Sequence, residues 1–120
     1  MKSYKDLEIY QIAFELALKI REKSLQLEHP DKFEVGGQIR RSSQSIKDNI
    51  VEGYGRRRYK ADFIKFLTYS QASLLEATSQ AEFLDRVFSN NQWDKIAIEL
   101  DNLGSKIFTF TKYVESNWRT

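Results

Sequence analysis

The chain has 120 residues, no cysteine and a formal net charge of +2, a length that suits one domain around one core. Without cysteine it has no disulfide, no thiol nucleophile and no thiolate metal site, which suits a reducing compartment. The start, MKSYKDLEIYQ, carries charges where a secretory signal needs an apolar core, and no apolar run approaches the roughly 20 residues of a membrane helix. The sequence therefore predicts a single cytoplasmic domain over residues 1–120 with no membrane partner.

One proline and five glycines punctuate the chain, and so few breakers favour long helices. A first helix is predicted over about residues 4–27. Ile9, Ala13, Leu16, Ile20 and Leu27 share one of its faces, and Leu7, Tyr10, Phe14, Leu18 and Leu25 share another. That apolar arc is wider than one core requires, so the helix is expected to have two partners. Pro30 to Glu34 reads as a turn and restart, with Asp31 as cap and Glu34 at the capping-box position. The second helix then continues to about residue 54. Its inward face is Val35, Ile39, Ser43, Ile46, Ile50 and Gly53, and Gly53-Tyr54-Gly55 supplies a glycine stop.

The third helix, about residues 59–88, carries Phe63, Leu67, Ser70, Leu74, Ala77, Ala81, Leu84 and Phe88 in an unbroken alternation of fours and threes. That heptad seam favours antiparallel packing at about +20°. Ser89-Asn90-Asn91 is the next turn, with Asn91 as cap and Asp94 complementing the dipole of a fourth helix. The fourth helix bears Ile96, Leu100, Leu103, Ile107, Val114 and Trp118. The expected fold is all-α, an up-down-up-down antiparallel four-helix bundle.

Chemistry-bearing patterns are scarce. The only histidine, His29, lies in a loop beside Pro30, and no glutamate stands three residues before it, as the Glu-x-x-His metal sites of di-iron bundles require. Phosphate-cradling glycine loops, nucleophile elbows and zinc patterns are absent from the sequence. The expectation is a non-enzyme with no catalytic residue, no metal and no cofactor.

Two features remain. Gln38, Ser42, Ser45, Asn49 and Glu52 form a polar ladder beside the apolar face of the second helix. We read it as a structural seam that fixes helix register or a subunit interface, with Ser73 and Glu76 as partners; the alternative is a polar binding strip. The second feature is local charge. Residues 38–60 hold seven basic and two acidic side chains, a net +5, against −3 for the remainder. Arg56, Arg57, Arg58 and Lys60 interleave with Tyr54 and Tyr59, a composition suited to phosphate contact and base stacking. A solvated interhelical corner has the same composition, and no groove-reading motif accompanies it.

The positions Gln38-Ile39-Arg40-Arg41, Ser45-Ile46, Asn49-Ile50, Glu52-Gly53 and Gly55-Arg56, followed by Phe63, Phe66-Leu67, Ala72-Ser73 and Glu76, resemble the pattern of the four-helix proteins related to the 23S rRNA intervening-sequence protein, often labelled "S23 ribosomal protein". The resemblance spans nearly the whole chain and is most specific in Asn-Ile-x-Glu-Gly-x-Gly-Arg. It implies a four-helix bundle that assembles into a homopentamer. It also implies kinship with the accessory variability protein of diversity-generating retroelements, a basic pentamer that binds a reverse transcriptase and nucleic acid. Ser42, Ser43, Lys47 and Ala72 depart from the family's usual residues. The resulting expectation is an oligomeric interaction or scaffold protein that binds RNA or DNA through Arg56, Arg57, Arg58 and Lys60, with Arg40 and Arg41 adding to the surface. The alternative is a protein-interaction module without nucleic-acid affinity; a metal-dependent bundle enzyme is the remotest reading.

Overall fold

The structure, a computed structural model, describes residues 2–89 and 92–119. A short 3-10 turn, Tyr4–Asp6, precedes four helices: α1 Glu8–Leu25, α2 Val35–Gly55, α3 Lys60–Val87 and α4 Trp93–Asn117. No strand occurs among the described residues. The helices form a rod of 48 × 20 × 20 Å, about the length expected of a 28-residue helix with its turns.

The direction of each helix follows from its contacts. Between α2 and α3, Ser42 meets Gln80, Ser45 meets Ser73, Ser70 donates to the Ile46 carbonyl, and Gly53 lies against Phe63 and Phe66. Numbers rise on one helix as they fall on the other. The same holds for α1 and α4, where Glu8 pairs with Lys106 and Lys19 with Glu99. It holds for α3 and α4, where Phe63 meets Trp118 and Gln71 reaches the Gly104 carbonyl. Arg40 reaches back to Ser24, while Tyr4 lies against Tyr54 near the start of α1 and the end of α2. Adjacent helices are thus antiparallel, in up-down-up-down order. The α2–α3 interface is the most extensive and α1–α4 the least.

The core follows the heptad pattern. Phe63, Leu67, Ser70, Leu74, Ala77, Ala81 and Leu84 of α3 are all buried, and Phe88 is half-buried. Ile39, Ile46 and Ile50 of α2 and Ile96, Leu100, Leu103, Ile107 and Val114 of α4 complete the centre. Small residues let α2 and α3 approach closely: a Cβ on Gly53 would lie 3.2 Å from the Phe66 Cβ.

Three boundary expectations need correction, and a fourth falls outside the described residues. The first helix does not run from residue 4; Leu7 adopts an extended backbone between the 3-10 turn and α1. Its side chain is buried, so it belongs to the core and not to the outer stripe. Asp31 does not cap α2. Residues 30–34 fold as a turn closed by Phe33 and Glu34 N–H donors to the Pro30 carbonyl, and α2 begins only at Val35 with no side-chain cap. Gly53 and Gly55 do not end α2 through a left-handed cap: both remain helical, and Arg56 follows as C-cap with φ −101°. Asn91 lies outside the described residues; the residue flanking α4 is Gln92, with φ 62°.

Candidate nucleic-acid interface

The α2–α3 turn emerges at the end of the rod where α1 starts and α4 finishes. It is tight, because the Arg56 N–H donates to Glu52 and Gly53, Arg57 N–H to Tyr54, and Tyr59 N–H to Arg56. The side chain just past the end of α4 locks it: Trp118 Nε1 donates to the Arg57 carbonyl at 2.9 Å, while its ring packs edge-on against Phe63. Tyr54 is buried beneath the turn. The backbone that carries the three arginines is therefore held before any ligand arrives.

Arg56, Arg57 and Arg58 are all exposed, and each guanidinium lies by an aromatic ring. Arg56 stands 4.9 Å from the Phe66 centroid, Arg57 3.9 Å from Tyr54, and Arg58 5.8 Å from Tyr59. Arg56 Nε also pairs with Glu52 at 2.8 Å, and Arg57 Nη1 donates to the Tyr54 carbonyl at 2.9 Å. Those contacts order the forks but leave each guanidinium with further N–H donors. Lys60, the first residue of α3, is half-buried, and Tyr59 exposes its ring beside it. Among the described residues Asp62 forms no ion pair with the arginines.

Charge is graded along the rod. The half containing this turn, residues 2–16, 46–74 and 106–119, has eleven basic and seven acidic side chains, +4; the other half has eight and ten, −2. Lys2, Lys5, Lys65 and Arg119 belong to the basic half. They were missed by a reading confined to residues 38–60: Lys65 lies just past that window, and only the antiparallel order brings Lys2, Lys5 and Arg119 to the same end.

Arg40 and Arg41 do not join the corner. They precede Arg56 by about four turns of α2, roughly 22–24 Å. Arg40 is half-buried and donates to the Ser24 hydroxyl and the Lys32 carbonyl, both at 2.9 Å, tying α1 and the following turn to α2. Arg41 is exposed and borders a groove of about 390 Å³ with Ser42, Ser45, Ser73, Glu76 and Gln80.

The ladder divides in two. Ser42 donates to Gln80 Oε1 at 2.6 Å, Ser45 bonds Ser73 at 2.8 Å, and Asn49 Nδ2 donates to the Ser45 carbonyl and hydroxyl. These residues lie in or beside the α2–α3 interface. Gln38 and Glu52 are exposed at its two ends, and Glu52 turns to Arg56 instead. Glu76 is exposed on the groove rim.

On α1, Phe14, Leu18 and Leu25 remain exposed, at 40%, 50% and 38%. No described helix is long and apolar enough to cross a membrane, and no group of three metal-ligating side chains occurs among the described residues.

No curated protein matches the chain significantly. A crystal structure of a protein with unknown function from the S23 ribosomal protein family of Bacteroides thetaiotaomicron has the same fold: the TM-score is 0.76 at 23% identity, over 87% of this chain and 95% of that one. The sequence itself matches the 23S rRNA-intervening sequence protein family over residues 5–109. With four antiparallel helices and a match that spans both the α2 motif and the α3 seam, the chain belongs to the 23S rRNA-intervening sequence protein family.

Proposed function

We propose that the protein is a cytoplasmic, non-enzymatic interaction protein that assembles into an oligomer and binds RNA or DNA through the α2–α3 corner, without reading sequence. The reading rests on one observation above the others: three consecutive exposed arginines, each beside an aromatic ring, stand on a turn fixed by the Trp118–Arg57 hydrogen bond. A rigid, convex basic corner suits phosphate contact and stacking on unpaired bases. It offers no groove-reading helix for sequence discrimination. Assembly is supported by the exposed Phe14–Leu18–Leu25 stripe, an apolar line that a solitary rod leaves wet. Five chains is the number that the sequence resemblance implies. Repetition of one feeble corner around an assembly supplies avidity.

Fluorescence anisotropy with labelled RNA and DNA across a salt series tests this reading. Wild-type binding should fall steeply with salt. Changing Arg56, Arg57 and Arg58 together to glutamine should weaken it and flatten the log K against log salt slope by about 2–3 per bound chain, since each lost phosphate contact removes about 0.7–0.9. No binding at about 50 mM salt, or binding indifferent to the triple change, would select a protein-interaction module instead. That second reading draws on Leu75, Ile98 and Phe108, exposed at 66%, 58% and 56% on the outer faces of α3 and α4.

A further inference from the structure

We propose that the basic corner continues along the outer face of α3 as a track for single-stranded nucleic acid, with Tyr69 as a stacking platform for a base and Lys65 as a phosphate contact. The inference rests on nucleic-acid binding at the corner and adds the strandedness of the ligand.

Arg56 joins the turn to the helix. Its guanidinium lies 4.9 Å from the ring centroid of Phe66, in the second turn of α3. Phe66 and Tyr69 are i,i+3 neighbours on that helix and pack edge to face, with ring centroids 5.3 Å apart. Lys65 stands one turn before Tyr69, and its Nζ is 5.9 Å from both centroids. Cations and rings thus alternate from the turn outward: Arg56, Phe66, Lys65, Tyr69. Phe66 is half-buried and supports the row, whereas Tyr69 is 45% exposed. Lys65 is exposed and enters no ion pair among the described residues. An exposed ring beside an unpaired ammonium matches a base face followed by its phosphate.

Acidic groups limit the track. Glu52 takes the Nε donor of Arg56 and is neutralised by it. Glu76, two turns beyond Tyr69 on the same face, is exposed and repels a phosphate. From Lys60 to Tyr69 the helix rises about 14 Å, a length for a few nucleotides. The strandedness follows from the platform. In a duplex each base face is covered by the next pair, so a ring on a convex helix meets only the sugar–phosphate edge. A single strand can turn a base onto Tyr69 and keep its phosphates on Lys65 and the arginines.

The test is fluorescence anisotropy across a salt series, with a labelled single strand of about 12 nucleotides and the same strand annealed to its complement. Tyr69→Ala, at an exposed position, should weaken single-strand binding roughly fivefold or more, leave its salt slope unchanged and leave duplex binding unchanged, because stacking is the interaction removed. Tyr69→Phe keeps the ring and should bind as wild type does. Lys65→Gln should instead flatten the single-strand slope by about 0.7 per bound chain. No loss in Tyr69→Ala, an equal loss for strand and duplex, a Tyr69→Phe as weak as Tyr69→Ala, or a slope unmoved by Lys65→Gln would overturn the track. Each of these leaves the corner itself to be judged by the triple arginine variant. A wild type that binds neither probe at about 50 mM salt would overturn corner and track together.

Discussion

Gly53→Ala is expected to destabilise the protein, although in most helix interiors the same change is favourable. Replacing a helical glycine by alanine normally gains about 0.8–1 kcal/mol in propensity. Here the new methyl would stand 3.2 Å from Phe66 Cβ, 3.3 Å from Phe63 Cδ1 and 3.4 Å from the Phe63 carbonyl. Phe63 has no room to give: it is fully buried and backed by Phe110 and Trp118, with ring centroids at 5.8 and 5.1 Å. Overpacking of this kind costs about 1–3 kcal/mol. The net expectation is a loss of up to about 2 kcal/mol after the propensity gain. Gly55→Ala, two residues on, is the matched control. It is also helical, its Cβ would meet nothing within 4 Å, and it should stabilise by about 0.4–1 kcal/mol. Urea melts of both variants at one protein concentration measure the difference, a fixed concentration being needed because the proposed assembly would contribute to apparent stability. If Gly53→Ala matches or exceeds the wild type, the account of a close-packed α2–α3 interface is refuted.

Arg40→Ala should cost about 2–3 kcal/mol of stability, because it removes charge-assisted hydrogen bonds to Ser24 and the Lys32 carbonyl, and it should leave nucleic-acid affinity unchanged when both are measured on folded protein. Glu52→Ala and Asn49→Ala should separate the two parts of the polar ladder in the same melts. The first breaks a pair whose side chains are each about half exposed and should cost about 0.3–0.5 kcal/mol; the second removes bonds to the Ser45 carbonyl and hydroxyl and should cost about 0.5–1.5 kcal/mol. Backbone N–H donors from Lys2 and then Ser3 hold the Asp6 carboxyl below the usual carboxylate range. The stability this gives the N-terminal turn is present above the unfolded carboxylate value and is lost as pH falls through the lower folded value; NMR titration of Asp6 should place its midpoint below that of free aspartate.

The repetitive parts of the fold were legible and the singular parts were not. The α3 seam from Phe63 to Leu84 reads directly, because burial on one face imposes a period that survives in the residue order. Where one residue can serve two purposes, the sequence is ambiguous. Gly53 and Gly55 have the composition of a stop, yet Gly53 is required by Phe63 and Phe66, which lie in another helix. Gly36 is similar: a Cβ there would lie 2.9 Å from the Asp31 carbonyl, and that close approach accompanies the turn which delays α2 until Val35. Arg40 and Arg41 look alike in sequence. Only the antiparallel return of α1 reveals that Arg40 meets Ser24. The corner arginines were found by their clustering, but the Trp118 clamp and the charges of Lys2, Lys5 and Arg119 come from segments more than 40 residues away.

The central claim is that copies of the arginine corner, gathered on an assembly, bind nucleic acid together. The most direct measurement is RNA anisotropy at about 50 mM salt on wild type and Leu18→Lys, each paired with sedimentation equilibrium at the same concentration. Leu18 is half exposed on α1, so a lysine there should leave the bundle folded and its arginines in place while charging the apolar stripe. The account predicts an assembled wild type, a monomeric variant, and RNA binding weaker by roughly tenfold or more in the variant. A wild type that sediments as a monomer, or a monomeric variant that binds RNA as tightly as wild type, would contradict it.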